Sequence, residues 1–129
     1  MPPPSISSCR LSLILCGNVD TELMENYYEQ SDGVALLSHE EGFGLSLIEG
    51  MQFGLPCIAH KDMYAYEDIY DSKAMIGIND RTNESVALAL EALLTTKWDK
   101  NSIVKYAEKF GMESMANQYI DCYKKVIYG

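Results

Sequence analysis

The chain has 129 residues, 47% of them hydrophobic and 22% charged, which suits one globular domain with a real core. Ten Lys+Arg against 19 Asp+Glu leave a net charge of -9, which argues against a nucleic-acid groove or an anionic membrane surface as the main partner, since both attract basic patches. The opening "MPPPSISSCR" has no basic stretch followed by an apolar core, so it does not read as a signal peptide, and no apolar run approaches the ~20 residues of a membrane helix.

Residues 1–10 read as a flexible leader, and residues 11–129 as one domain. "LSLILC", Leu11 to Cys16, is a short apolar run stopped by Gly17-Asn18 and predicts a buried strand. Asp20 or Thr21 can cap a helix carrying Leu23, Met24, Tyr27 and Tyr28 at helical spacing. Ser31-Asp32-Gly33 ends it, and "VALLS" predicts a second buried strand. A glycine-rich loop over 40–44 leads into a short helix, Leu45 to Phe53, closed by Gly54 and by Pro56 just beyond. "CIAH" and "AMIGI" predict a third and a fourth strand, with room for a short helix around Tyr66 to Tyr70 between them.

The rest predicts helices. One is capped by Asn83, with Val86, Leu90, Leu93 and Leu94 on one face; a pair follows through Ile103, Val104 and Ala107, then Met115 to Ile127. Apolar strands alternating with helices imply an α/β fold, a Rossmann-like parallel sheet covered by helices on both faces. Ligands in such sheets bind beyond the carboxyl ends of the strands, where the loop from Ser38 to Gly44 falls.

Four cysteines, Cys9, Cys16, Cys57 and Cys122, form no C-x-x-C pair. Cys16 and Cys57 lie in apolar runs, where free cysteine behaves as a small hydrophobe. His39 and His60 have no helical partner at metal-ligand spacing, so no metal site is expected. These features read as a reduced, cytoplasmic protein, reaching the inner face of a membrane only through parts or partners not in this chain.

The stretch "SHEEGFGLSLIEGMQFGLPCIAH", Ser38 to His60, gathers local penalties: glycines around Phe43, and Glu49 among Leu47, Ile48 and Met51. Such clusters mark sites. A dinucleotide fingerprint fails here, because Leu47 holds its third glycine position. Glu40-Glu41 alone also reads as a solvated acidic turn, and Glu49 as a helix-surface acid.

With Glu41 and Glu49 eight residues apart, Gly42-Phe43-Gly44-Leu45 between them and Gly54-x-Pro56 after them, the stretch resembles the donor-site segment of family-four retaining glycosyltransferases of the GT-B fold. "LILCGNV" with "LMENYYEQSD" resembles the strand and helix before that site, and "YAEKFGMESMANQYIDCYKKV" the closing helix, so the likeness runs from about Leu11 onward. It implies the C-terminal, nucleotide-sugar-binding domain of a GT-B enzyme, truncated at its N-terminal side.

The resemblance also implies roles. Glu41, the catalytic candidate, would contact the donor sugar and stabilise developing positive charge. Glu49 would hold the two ribose hydroxyls. Gly42, Phe43, Gly44, Leu45 and Ser46 would bring backbone amides and the head of a helix to the sugar and diphosphate. No cofactor and no metal are implied, in keeping with the absence of D-x-D. The implied partners are a nucleotide-diphosphate sugar, an acceptor glycan or lipid, and a partner chain or second copy. The acceptor domain of the family has no counterpart here, nor does its Arg-Lys pair on the diphosphate, since Arg10 does not match it. Two missing charged hydrogen bonds weaken binding by ~3–6 kcal/mol. The alternative is a non-catalytic relic or interaction module with the same fold. His60, Lys61, Tyr64, Tyr66 and Tyr70 stand near the same sheet edge, the tyrosines reading better as a packed face.

Overall fold

The computed structural model describes residues 13–38 and 43–128, the side chains of 112–115 excepted. Helix α1 spans Thr21–Gln30 and is capped by Asp20, whose carboxylate accepts the Leu23 N–H at 2.8 Å. Strand β1 is Val34–Leu36, α2 is Leu45–Gln52, β2 is Cys57–His60, the one-turn α3 is Tyr66–Ile69 and β3 is Met75–Ile78. Helices α4 (Asn83–Thr95), α5 (Lys100–Ala107) and α6 (Met112–Tyr128) follow, with a 3-10 turn at Glu108–Phe110 between the last two.

The strands form one sheet in the order β1-β2-β3, and both pairings are parallel. Val34 lies opposite Cys57, and Cys57 opposite Met75. The expected crossover from β1 through α2 to β2 is therefore present. All four residues of β2 are buried, as a central strand covered on both faces requires. Successive side chains alternate between two cores. Cys57 and Ala59 join Leu47 and Met51 of α2 and Ile103 and Ala107 of α5. Ile58 faces the other way, with Ile78, Ala89 and Leu93. Each large apolar side chain removed from water contributes ~1.5–3 kcal/mol.

Gly50 sets how closely α2 approaches the sheet. A Cβ there would sit 2.5 Å from Val34 Cγ2. The glycine in mid-helix is thus a packing requirement, and its helix-propensity cost of ~1 kcal/mol is offset by close contact.

Several expectations need correcting. Residues 13–16 of the first expected strand form no regular structure, and Leu13, Ile14 and Leu15 are 86%, 75% and 88% exposed. Leu11 and the leader lie outside the described residues. A strand needs a neighbour for its backbone groups, and an apolar run alone does not supply one. Cys16 is likewise exposed, while Cys57 is buried as expected. The cap of α4 is Thr82, whose hydroxyl accepts the Ser85 N–H; Asn83 is the first helical residue. On α4 the covered face is Ala89 and Leu93 with half-buried Val86, and Leu90 and Leu94 point outward. The apolar row of α6, including Tyr123, Val126 and Ile127, is exposed.

Candidate functional site

The turn after β2 meets α2 at its N-terminus, where Met63 lies beside Gly44. Gly44 caps that helix at φ 75 and ψ 47, a left-handed conformation that side-chain-bearing residues avoid. Its Cβ position is also closed, since an added atom would lie 3.3 Å from Met63 Sδ and Cε. Among the described residues no side chain caps the helix. The first N–H groups of an uncapped helix face outward, and the helix dipole adds partial positive charge there. Ser46 and Leu45 at this head are exposed, Leu45 by 63%. Phe43 packs edge-on against Phe110 with ring centroids 5.9 Å apart and remains 37% exposed.

Glu49 lies one turn into α2, on its exposed side. Leu47, Ile48, Gly50 and Met51 point inward, so the helix separates its core face from the glutamate. Glu49 lines a cleft of about 410 Å³ shared with Val19, Asp20, Glu25, Tyr28 and Gln52. The Tyr28 hydroxyl donates to Glu49 Oε2 at 3.0 Å. The Tyr28 ring stacks on Phe53, with centroids 5.3 Å apart and planes 22° apart. Burial, then the hydrogen bond to Glu49, push the Tyr28 phenol up to about 12. It therefore remains a donor throughout the physiological range. With carboxylates at Asp20, Glu25 and Glu49, the cleft is rich in acceptors and suits hydroxyl or N–H donors better than phosphate.

Of the expected site residues, Phe43, Gly44, Leu45, Ser46 and Glu49 thus share one loop and helix head. Glu41 and Gly42 lie outside the described residues, as does His39. His60 is buried, with Nδ1 accepting the Asp62 N–H at 2.9 Å and 2.8 Å from Asp62 Oδ1. Tyr66 is buried and stacks on Tyr70 with centroids 5.1 Å apart, while Tyr64 is 90% exposed, so the three do not make the one packed face expected of them. Tyr28 is the residue that sequence reasoning missed. Its spacing marked it only as an apolar helix position, although a tyrosine there carries a polar tip as well. Among the described residues no group of three or more His, Cys, Asp or Glu could hold a metal ion. No helix among them is long and apolar enough to cross a membrane.

Residues 7–110 match the model of the family described as glycosyl transferases group 1. An uncharacterized 41.2 kDa protein in the cps region of Klebsiella pneumoniae is 26% identical over 116 residues, covering 88% of this chain and 32% of that protein. The sucrose-phosphate synthase structure from Thermosynechococcus elongatus superposes with a TM-score of 0.67 at 22% identity, over 87% of this chain and 29% of the synthase chain. That likeness establishes the GT-B fold. The chain spans about a third of the length of these relatives. With its family model matched over most of its length, the chain belongs to the group 1 glycosyl transferases.

Proposed function

We propose that this chain is the donor-binding part of a retaining glycosyltransferase, which moves a sugar from a nucleotide-diphosphate sugar to an acceptor glycan or lipid. The observation that carries the reading is Glu49, one turn into α2 from its N-terminus, lining an acceptor-rich cleft with Tyr28. Ribose hydroxyls donate to Glu49, with the Tyr28 hydroxyl holding the carboxylate in place. The diphosphate lies toward the N-terminus of α2, near the amides of Gly44, Leu45 and Ser46, where negative charge is stabilised as it develops. Glu41 orients the sugar. The acceptor oxygen bonds to the anomeric carbon on the face the diphosphate leaves, the carbon–oxygen bond to phosphate breaks, and the acceptor proton passes to the departing phosphate. No metal or cofactor is assigned to the step. The acceptor side belongs to a further domain or a partner chain, and the protein works in the cytoplasm.

Saturation-transfer NMR titration of UDP and GDP, and of UDP-glucose and GDP-mannose, tests the reading. The wild type should bind one of these pairs, and Glu49→Gln should weaken both members by ~1–2 kcal/mol as charged hydrogen bonds become neutral. Binding indifferent to Glu49→Gln would refute it. A second reading, a non-catalytic interaction module, draws support from the exposed apolar row of Tyr123, Val126 and Ile127 on α6. It gains if the chain binds none of the nucleotides yet associates in a way that polar substitutions along this row abolish.

A further inference from the structure

The cleft beside Glu49 runs in one direction along α2. Its wall on that side is Glu49, Gln52 and the C-cap Phe53, and no earlier residue of the helix lines it. The facing wall is α1, where Met24, Glu25 and Tyr28 share one side at helical spacing. Tyr28 joins the two walls, with its hydroxyl on Glu49 and its ring on Phe53. Glu25 stands nearly one turn back along α1, ~4.5 Å from Tyr28 by helical rise. Among the described residues no hydrogen bond or ion pair engages its carboxylate. The cleft measures about 410 Å³, within the ~300–1,000 Å³ of small-molecule sites and more than a ribose fills. Its carboxylates are spread along it, since among the described residues no three His, Cys, Asp or Glu side chains form a group that could hold a metal ion.

The inference rests on the nucleotide-sugar reading above, in which Glu49 holds the two ribose hydroxyls and the diphosphate lies toward the N-terminus of α2. The diphosphate and the base are carried at opposite ends of a ribose. The base therefore enters the part of the cleft that runs away from that N-terminus, between Gln52 and Glu25. Val19 and Met24 offer apolar surface to a ring face there. The edge of the base meets the carboxylate. An ionised carboxylate only accepts, and its two oxygens are best matched by two adjacent, parallel donors. Among the common bases guanine has that pair, a ring N–H beside its amino group. Uracil sets one N–H between two carbonyls. Adenine and cytosine set an amino group beside a bare ring nitrogen. Each of these three would turn a lone pair on the second oxygen of Glu25.

We propose that Glu25 is a specificity-determining residue: its carboxylate accepts the ring N–H and the amino group of guanine, so that the donor is a guanosine-diphosphate sugar. The match is one of hydrogen-bond pattern, so changing the pattern changes the choice of base. The Glu25→Gln variant offers one acceptor and one donor. That combination fits the adjacent N–H and carbonyl of uracil, or the amino group and ring nitrogen of adenine, and no longer fits guanine's two donors.

The experiment titrates the full chain with GDP, IDP, UDP and ADP, followed by NMR. IDP keeps the ring N–H of guanine and lacks its amino group. The wild type should bind GDP about tenfold or more tighter than UDP or ADP, and IDP should fall between, as the loss of one charged hydrogen bond requires. Glu25→Gln should lose about tenfold on GDP, bring GDP and IDP within about twofold of each other, and bind UDP or ADP at least as well as the wild type does. Glu25 is exposed on α1, so the variant keeps the fold, which the amide spectrum checks. Glu29→Gln removes the same charge from α1 outside the cleft and should leave all four affinities within about twofold. A wild type that binds GDP no better than UDP or ADP would overturn the proposal. So would a GDP preference that survives Glu25→Gln, or a loss that Glu29→Gln reproduces, which would make the effect one of net charge. Glu49→Gln separates the two failures. If it weakens all four nucleotides while the base makes no difference, the nucleotide reading stands and the guanine assignment falls. If the wild type binds none of the four, both fall.

Discussion

The Tyr28 hydroxyl on α1 donates to the Glu49 carboxylate on α2 at 3.0 Å, tying together two helices that flank the cleft. The bond couples the position of the candidate ribose acceptor to a phenol. Burial, which disfavours the phenolate, and secondarily the neighbouring Glu49 push the Tyr28 phenol from its ordinary 10 up to about 12. A raised pKa favours the protonated form in the folded state. Its contribution to stability is therefore complete below pH 10 and is lost as pH rises from there through about 12. In Glu49→Gln the Tyr28 pKa should fall but stay above 10, since burial remains. Ring resonances of Tyr28 followed by NMR from roughly pH 8 upward, through the titration range of a phenol, check both statements. An unchanged pKa in Glu49→Gln would mean that the carboxylate does not act on the phenol.

Glu41 and Glu49 should separate in binding. Ribose hydroxyls are common to the donor and the bare nucleoside diphosphate, whereas sugar hydroxyls leave with the sugar. Glu49→Gln should weaken both ligands by ~1–2 kcal/mol, and Glu41→Gln only the nucleotide sugar. Calorimetric titration of both variants reads this directly. Equal loss of diphosphate binding in the two would reverse or void the assignment.

Gly50→Ala should destabilise the fold. Alanine gains ~1 kcal/mol of helix propensity, but its methyl meets Val34 Cγ2, and a β-branched side chain has few rotamers to yield with. Overpacking of this kind costs ~1–3 kcal/mol, so a net loss of about 1 kcal/mol is expected in urea unfolding. The Glu49 amide should shift as α2 moves away from β1. A stabilised Gly50→Ala would show that Val34 moves aside without penalty.

The cysteines should differ in reactivity. Burial pushes the Cys57 thiol up to about 12, and its Sγ lies 3.5 Å from the carbonyls of Leu47 and Leu55. Cys16 and Cys122 are exposed. At neutral pH a maleimide should label Cys16 and Cys122 within minutes and leave Cys57 unmodified until urea is added, as peptide mass spectrometry would read. Native labelling of Cys57 at the rate of Cys16 would contradict the packing of β2.

Much of this architecture was readable from local chemistry. Gly44 and Gly54 mark the two ends of α2, and each has a positive φ, 75 and 76. The apolar runs at 34, 57 and 75 are strands because helices cover both faces of their sheet. The run at 13–15 has the same composition but no such cover among the described residues. Composition reports a need for burial, whereas the supply of a neighbour is a property of the whole assembly. The role of Tyr28 was not readable for a related reason. Tyr28 meets Glu49 across 21 residues, a distance over which periodicity carries no signal.

The all-parallel pairing also governs how the chain reaches its fold. Val34 finds Cys57 and Cys57 finds Met75, so each strand pairing must close a segment of roughly twenty residues before it gains any sheet hydrogen bond. With no hairpin among the described strands to nucleate the sheet, the helices should gain structure first and the sheet should condense late. During that interval the apolar runs at 13–15 and 57–60 are open to solvent together, and a chain leaving the ribosome is then most exposed to chaperones and to its own neighbours.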